Sequence, residues 1–367
     1  MLRFLRSEYA LIVGFIITGL AYGPFSGLFG ETFTGPVYTV LFVVLFTSML
    51  LLSFSAVRHA DHLAELLGEP YGTLILTIAV ITIEVALISA IMLSGDAQPT
   101  LARDTMMAVL MIVMNGVVGL VLLVGGFKHS EQEFNLRGAS AFLTVLVTLA
   151  TMTLILPNFT VSTPDPSLSR IQAEWFAVIT IVLYVTFLAI QTSRHRSFFM
   201  QPGMEDGEDA HHGPPGGGSV SYHAVLLVLT LVPAVLLSKK LAVLVDFGIG
   251  TWSLPAAIGG IIIAALVLAP EALAAFHAAR QNYLQRAVNI CLGSALATIG
   301  LTVPAALAIS IFFNKEIQLG IGNTDMTLLL LTMFVSALTF GGTRTNMLQG
   351  AVHLVIFVVY IVLIFNP

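Results

Sequence analysis

The chain has 367 residues, of which 57% are hydrophobic and only 10% charged, and its formal net charge is −5. Soluble domains carry roughly 25% charged residues, so this chain has too few of them to cover a water-soluble fold. Together with a mean hydropathy of +0.95, this composition indicates a polytopic membrane protein. The 15 basic residues are scattered along the chain, which argues against nucleic-acid binding. The single cysteine, Cys291, excludes an internal disulfide and a cysteine-based metal centre.

Apolar segments recur along the whole chain. A bilayer core about 30 Å thick needs about 20 apolar residues per helix, and this criterion predicts eleven transmembrane helices in an all-α polytopic fold. The first segment is too long for the core of a signal peptide, so it is predicted to be retained. The predicted spans are 9–29, 36–58, 71–94, 105–126, 138–157, 172–192, 222–240, 253–273, 287–312, 325–341 and 346–365.

An acidic loop divides the chain almost in half. It contains Glu205, Asp206, Glu208 and Asp209, followed by Gly-Pro-Pro-Gly-Gly-Gly, a composition typical of a flexible linker. Five predicted spans lie on each side of it after the first helix, and an odd number of spans inverts the second set. Inverted repeats are common in secondary transporters. We therefore predict an N-terminal helix (1–35), a first five-helix repeat (36–192), a cytoplasmic linker (193–221) and a second, inverted repeat (222–367).

Basic residues predict the orientation, because short cytoplasmic loops collect Lys and Arg. An N-terminus in the cytoplasm and a C-terminus on the periplasmic side of the cell (inner) membrane place ten basic residues inside and five outside. The inner set is Arg3, Arg6, Arg58, Lys128, Arg137, Arg194, Arg196, Arg280, Arg286 and Arg344. The outer set is Arg103, Arg170, Lys239, Lys240 and Lys315.

Two acidic residues stand deep in apolar spans, one in each half. They are Glu84, in the segment Ile-Thr-Ile-Glu-Val-Ala-Leu-Ile, and Glu271, in Leu-Ala-Pro-Glu-Ala-Leu-Ala-Ala. A charge near the bilayer centre costs about 2.5–3.5 kcal/mol on insertion scales, and such residues usually serve a function. The sequence places no Lys or Arg at a similar depth, so each carboxylate is expected to exchange a proton for a cation. Two facing carboxylates suit a divalent ion such as Ca²⁺.

Polar side chains near these glutamates are candidate secondary ligands or gates. Asn115 lies in the next span of the first half, and Ser294 and Thr298 lie at helical spacing in the corresponding span of the second half. Thr77 precedes Glu84 by seven residues and shares its helix face. The alternatives are a helix–helix hydrogen bond for Asn115 and bonds to the preceding turn for the hydroxyls.

Two prolines could free backbone carbonyls to face an ion. Pro270 removes the helical donor to the carbonyl of Leu266, and Pro304 does the same for Gly300. An ordinary transmembrane kink is the alternative for both. A further cluster at the cytoplasmic end of the second span contains Arg58, His59, Asp61, His62, Glu65 and Glu69. It could attract cations or sense pH, or be a solvated helix end.

Several stretches resemble a known family, the ChaA-type bacterial calcium/proton antiporters, which are CAX-like members of the cation/Ca²⁺ exchanger superfamily. The most specific are residues 62–77, 289–304 and 344–353 and the segment Glu-Ala-Leu-Ala that begins at Glu271. The resemblance implies eleven helices and export of a cytosolic cation, Ca²⁺ first, in exchange for external protons without a cofactor. It also implies that Glu84 and Glu271 are the ion and proton carriers.

The signature helices depart from the wider superfamily, whose exchangers usually carry Gly-Asn shortly before each glutamate. This chain has Val80-Ile81 before Glu84 and Leu268-Ala269 before Glu271, so the corresponding amide ligands are missing. A Na⁺/H⁺ or K⁺/H⁺ antiporter of the same fold is therefore the alternative function. A cation channel is more remote because a pair of proton-trapping glutamates favours a carrier. An intramembrane enzyme is more remote because the histidines lie at scattered depths. We expect the chain to be surrounded by membrane lipid. The sequence does not determine whether it forms a homo-oligomer.

Overall fold

The structure is a computed structural model that describes residues 7–29, 33–67, 99–202, 219–255 and 257–366, with residues 81, 82, 84, 85, 88, 89 and 92 between the second and third of these ranges. Thr77 and the acidic stretch of the predicted linker lie outside the described residues. The side chains of Ala64 and Glu65 are also outside this description.

Helices make up nearly all of the described chain, which confirms the predicted all-α membrane fold. Eight of them are long and apolar enough to cross a membrane, and two shorter apolar helices, α1 and α9, accompany them in the described part of the chain. In chain order the helices are α1 (Tyr9–Tyr22), α2 (Gly35–Leu67), α3 (Leu101–His129), α4 (Leu136–Phe159), α5 (Arg170–Arg194), α6 (Val220–Thr251), α7 (Ala257–Arg280), α8 (Leu284–Phe313), α9 (Asn323–Thr339) and α10 (Met347–Phe365). The described residues of the predicted span 71–94 are helical, while the count of eleven spans stays a prediction.

Local capping residues explain where several helices begin. Ser169 and Gln172 form a capping box at the start of α5, and Asn346 and Gln349 form another at the start of α10. In a capping box, two side chains satisfy backbone N–H groups that have no partner within the helix. Single side-chain caps serve α4 and α6, from Asn135 and Ser219 respectively.

The predicted end of the span 222–240 was wrong, because α6 continues to Thr251 through the two lysines taken as its boundary. Lys240 is accommodated between two aromatic rings, with its Nζ 4.8 Å from the ring centroids of both Tyr22 and Phe29. Such cation–π contacts let a lysine stay within an apolar helix. At 1.5 Å per residue, the 32 residues of α6 span about 48 Å, which exceeds the hydrocarbon core. Lys239 and Lys240 therefore belong to a helix rather than to an external loop.

A short antiparallel ribbon joins two connecting segments. Strand β1 (Glu131–Glu133) pairs with β2 (Arg344–Asn346), with Gln132 opposite Thr345. Arg344 Nε donates to Glu133 Oε1 at 2.9 Å across the ribbon. The Gln132 side chain is buried and donates to the carbonyl of Ala279 at 2.9 Å. The ribbon thus fastens the α3–α4 and α9–α10 connections to the end of α7.

The chain forms two compact units, each built from segments of both sequence halves. Unit 1 comprises Met1–Ala97 and His211–Pro270, and unit 2 comprises Gln98–Ala210 and Glu271–Pro367. This division follows contacts in space, whereas the predicted five-helix repeats follow chain order. The repeat boundaries therefore stay a prediction. Glu84 belongs to unit 1 and Glu271 to unit 2.

Unit 2 has a tightly packed core in which α3 and α10 approach through glycines. A Cβ at Gly350 would lie 2.5 Å from the backbone N of Leu123 and 2.7 Å from the carbonyl O of Gly119. A Cβ at Gly119 would in turn lie 3.0 Å from the carbonyl O of Gly350. Small residues at such crossings allow membrane helices to pack backbone to backbone. This close packing fixes α10 against the helix that carries Asn115.

Candidate cation-binding site

Glu84 is a buried carboxylate within the apolar helical segment of unit 1. Only 2% of its surface is exposed, and the flanking Ile81 and Ile88 are buried as well, at 6% and 2%. Burying an ionisable side chain in this way is costly unless the charge is neutralised by a proton, a cation or a hydrogen-bond partner. The position therefore has the chemistry expected of a proton- or cation-binding residue.

Glu271 lies in the middle of α7, which runs as one helix from Ala257 to Arg280 with Pro270 inside it. Ser294 of α8 donates its hydroxyl hydrogen to Glu271 Oε2 at an O···O distance of 2.5 Å. The sequence alone left open whether this hydroxyl bonds back to its own helix, and the structure directs it to Glu271 instead.

The two helices that follow the glutamates in the sequence halves both contain π-helical segments. In α3 the segment is Ile112–Val117, which includes Asn115, and in α8 it is Thr298–Thr302, which includes Gly300. Each segment packs against the other helix of the pair. π segments also occur in α4 and at the end of α5, so the feature by itself does not define a site. A π turn changes the helical register, so side chains on either side of it need not keep i, i+4 spacing on one face.

The candidate backbone ligands are both buried. Leu266 is 0% exposed within α7, and Gly300, four residues before Pro304, lies in the π segment of α8. Thr298, in the same segment, is 1% exposed. A Cβ at Gly300 would lie 2.7 Å from the ring of Tyr184, so only glycine allows that ring to pack against this segment.

Tyr184 is a residue near the site that sequence reasoning missed. It is 2% exposed on α5, although most of that helix is exposed. It interacts electrostatically with Glu271. The signal that could have found it is the spacing of Ala173, Thr180, Tyr184 and Phe187, which places the buried residues of α5 along one stripe.

Asn115 belongs to a buried hydrogen-bond network that joins three helices of unit 2. Its Nδ2 donates to Thr332 Oγ1 at 2.8 Å, and its Oδ1 lies 3.1 Å from His353 Nδ1. His353 Nε2 in turn lies 3.0 Å from Thr339 Oγ1. Since Asn Oδ1 can only accept, His353 carries its proton on Nδ1 and accepts from Thr339 through Nε2. His353 of α10 therefore bonds to both α3 and α9. In this conformation Asn115 makes the helix–helix bond that was the alternative to ion ligation.

The carboxylates would need further oxygen ligands to hold a hard cation. Within the described ranges, no three His, Cys, Asp or Glu side chains are grouped so that they could hold a metal ion. Hydroxyl, carbonyl or water oxygens would therefore have to complete the coordination of a cation at either glutamate. Ser294 and Thr298 and the carbonyls of Leu266 and Gly300 are the candidates that the sequence indicated.

Apolar helices that carry glutamates within them are typical of a membrane ion transporter. Comparison with known proteins specifies the family: residues 37–193 and 222–366 match the sodium/calcium exchanger protein family, and the chain belongs to it. The chain is 42% identical to the putative ionic transporter y4hA of Sinorhizobium fredii over 84% of both chains. It is 39% identical to the sodium-potassium/proton antiporter ChaA of Escherichia coli over 92% of both chains.

The fold also matches that of solved exchangers. The chain superimposes on the crystal structure of the Ca²⁺/H⁺ antiporter YfkE with a TM-score of 0.72 and 18% identity, covering 100% of both chains. Family and fold together make the chain a cation/proton or Ca²⁺/H⁺ exchanger of the ChaA-like branch of the superfamily. It is a secondary transporter rather than an enzyme, and exchangers of this family move cations and protons without a cofactor.

Proposed function

We propose that this exchanger exports Ca²⁺ from the cytoplasm in return for protons, with Glu84 and Glu271 as the residues that bind cation and proton in turn. The observation that carries the proposal is a carboxylate within an apolar helix of each sequence half: Glu84 is 2% exposed, and Glu271 is partly exposed and accepts a hydrogen bond from the Ser294 hydroxyl. Each carboxylate can be neutralised by a proton from one side of the membrane and by a cation from the other. Alternating access then couples the two movements.

Charge favours a divalent cargo. Two carboxylates carry two negative charges, which one Ca²⁺ neutralises, and Ca²⁺ accepts hydroxyl, carbonyl and water oxygens for its remaining ligands. Ser294 already contacts Glu271, and Thr298 is buried four residues further along α8. We propose that these hydroxyls and the carbonyls of Leu266 and Gly300 complete the site, with Asn115 as a gate.

Exchange of Na⁺ or K⁺ for protons is the second candidate. It is supported by the name of the E. coli relative, a sodium-potassium/proton antiporter that is 39% identical to this chain. The missing amides before each glutamate point the same way, because fewer protein oxygens favour a less demanding ion. An ion of single charge would need only one of the two carboxylates to be ionised.

Dye-monitored proton movement in everted membrane vesicles separates the two candidates. Vesicles containing the chain are acidified by respiration, and Ca²⁺, Na⁺ and K⁺ are added in turn across a range of pH. We expect Ca²⁺ to release protons at the lowest concentration. A response to Na⁺ or K⁺ alone would establish the second candidate, and no response to any cation, with the protein present in the membrane, would refute cation/proton exchange by this chain.

We further propose that the chain lies in the cell (inner) membrane with its N-terminus in the cytoplasm and its C-terminus in the periplasm. Ten basic residues on the inner side against five on the outer side support this orientation. Impermeant thiol labelling of whole cells tests this, using Val161→Cys and Gly342→Cys as reporters. Val161 is 99% exposed and Gly342 is exposed, whereas the native Cys291 is buried. Labelling of the variant at 342 but not at 161 would reverse the orientation.

A further inference from the structure

A buried cluster of ionisable side chains joins three segments of unit 1 at the predicted cytoplasmic end. We call it the histidine cluster: Glu8, Arg58, His59, His62, Tyr222 and His223. Glu8 precedes α1, the next three lie on α2, and the last two begin α6. Glu8, His59 and His223 are only 2%, 1% and 4% exposed. The sequence left a solvated helix end as one interpretation of the α2 residues, and the burial of His59 excludes it for that residue.

Glu8 is the anchor of the cluster. Its Oε2 accepts from Arg58 at 2.7 Å and lies 3.0 Å from His59 Nε2. Its Oε1 accepts from the Tyr222 hydroxyl at 3.2 Å. One carboxylate therefore ties the N-terminal segment to both α2 and α6. A buried carboxylate with such partners is stabilised in its ionised form.

The contact between His59 and His223 limits how many protons the cluster can hold. Their Nδ1 atoms are 3.1 Å apart, so one nitrogen must donate and the other accept, and only one proton fits on this line. A single positive charge on the pair is compatible with the contact because Glu8 lies beside His59. Two imidazolium rings are not, since both Nδ1 atoms would then carry protons, with the Arg58 guanidinium 3.3 Å from His59 Nε2 adding further repulsion.

Two further ionisable residues of α2, His62 and Asp61, lie close to His59 in the chain. The His62 ring packs on His223 with centroids 4.7 Å apart, so a proton on His62 would also disfavour a charged His223. Asp61, next to it on α2, is exposed, where solvent and salt screen its charge. Glu8 is the one buried carboxylate of the cluster, and a single carboxylate cannot neutralise two imidazolium ions and a guanidinium.

We propose that the His59–His223 contact is a cytoplasmic proton sensor that keeps the exchanger active when the pair holds at most one proton and slows it when both rings are protonated. The proposal rests on the proposed function and orientation. Double protonation separates the start of α6 from the end of α2 within the unit that also carries Glu84. Because the exchanger brings protons into the cytoplasm, such a sensor limits acidification of the cell.

The test must separate the sensor from competition between proton and cation at the transport site. Competition raises the KM for the cation, whereas the sensor lowers Vmax at saturating cation. Initial rates are therefore measured in everted vesicles, whose cytoplasmic face is outward, from about pH 8 to about pH 5.5, a range that spans ordinary histidine titration. The variants are His223→Asn, which keeps a hydrogen-bonding group near the Nδ1 position but cannot titrate, and His223→Lys, which carries a permanent charge. His277→Asn, at an exposed histidine of α7, is the matched control.

Because the neighbouring charges oppose the second proton, we expect the wild-type Vmax and that of His277→Asn to fall together toward the acid end of this range, below the ordinary histidine pKa of about 6.5. His223→Asn should retain at least fivefold more of its Vmax at the acid end, with an unchanged dependence of KM on pH. His223→Lys should have a low Vmax throughout. A Vmax profile of His223→Asn identical to that of wild type would overturn the sensor while leaving cation/proton exchange intact, and absence of exchange by wild type near pH 8 would overturn both.

A measurement on the wild-type protein guards against variants that do not fold. The backbone N–H of His223 bonds to the carbonyl of Ser219 at 3.2 Å, and that of Ile12 to the carbonyl of Glu8 at 3.2 Å. Hydrogen–deuterium exchange of these two segments, corrected for the intrinsic effect of pH, should speed up as the second proton binds. Protection that stays constant down to about pH 5.5 would overturn the sensor.

Discussion

Replacing Ser294 with alanine is the most specific perturbation of the Glu271 site. The substitution removes one oxygen and with it the 2.5 Å hydrogen bond to Glu271 Oε2. A hydrogen bond to a charged group contributes about 1.5–3 kcal/mol, and 1.36 kcal/mol corresponds to a factor of ten. The ionised carboxylate that receives the cation would therefore lose about 10- to 150-fold in stabilisation.

Two features of the structure place the effect near the lower end of this range. Glu271 is partly exposed, so water can replace part of the lost bond. A serine hydroxyl can also accept a hydrogen bond from a protonated glutamate, so the proton-bound state loses some stabilisation as well. We therefore expect Ser294→Ala to raise the KM for the cation by about tenfold and to leave the protein folded.

The assay is the initial rate of cation-driven proton release in everted vesicles, with KM and Vmax determined separately. Ser294→Thr keeps a hydroxyl and should stay within about threefold of wild type. Ser336→Ala is the matched control, because Ser336 is fully buried in the same unit and its hydroxyl bonds to no described residue. An unchanged KM in Ser294→Ala, for every transported cation, would refute the assignment of this hydroxyl to the site.

Three further predictions concern stability and ligation. Thr332→Val removes the oxygen that accepts from Asn115 Nδ2, leaving the weaker Met111 sulfur as its acceptor, and should cost about 1–3 kcal/mol of stability in detergent unfolding without changing the KM for the cation; a tenfold rise in KM instead would show that Asn115 acts at the ion. Gly350→Ala forces α3 and α10 apart and should cost about 1–3 kcal/mol, measured as a lower Tm, with an unchanged Tm refuting the close approach. Burial raises the pKa of the Glu8 carboxyl, but Arg58, His59 and the hydrogen bonds outweigh this effect and hold the pKa below its usual 4.5. A depressed pKa stabilises the fold above pH 4.5 and loses that contribution as the pH falls through the folded value, so the Tm difference between wild type and Glu8→Gln should shrink below pH 4.5; a constant difference would contradict this.

The sequence predicts helices well here because a span must be apolar over its whole length. Most predicted positions lie within a few residues of the described helices, but two ends were wrong: α1 ends at Tyr22, before Gly23 and Pro24, rather than at 29, and α2 continues to Leu67 rather than ending at 58. The prediction failed at Lys239 and Lys240, since the sequence does not show that Tyr22 and Phe29 lie beside Lys240 in space. A lysine indicates the end of a membrane helix only when no aromatic ring or other protein group is close enough to stabilise its charge.

Of the candidate site, only the charged residues could be predicted from the sequence. Glu84 and Glu271 stand out because acids are rare in apolar runs, and depth can be counted along the chain. The hydrogen-bond partners of Asn115 are Thr332 and His353, which lie 217 and 238 residues away in sequence. No local sequence pattern predicts these contacts. The positions of the π segments could not be predicted from the sequence either, because their composition is as apolar as that of the α-helices around them.

The histidine cluster shows the same limit. His59 and His62 attract notice as neighbours on α2, but Glu8 and His223 are separated from His59 by 51 and 164 residues. Neither has a sequence context that distinguishes it from an ordinary interfacial residue. Only the packing of α2 against α6 and the N-terminal segment brings these groups together.

The central claim is that Glu84 and Glu271 carry the exchanged ions. Its most direct test is cation uptake by purified protein in liposomes under an imposed pH gradient, comparing wild type with Glu84→Gln and Glu271→Gln. Each variant should reconstitute in equal amount and show the circular dichroism of wild type but no uptake above protein-free liposomes, because glutamine can neither take up a proton nor neutralise a cation. Uptake at the wild-type rate by either variant would contradict the proposed mechanism.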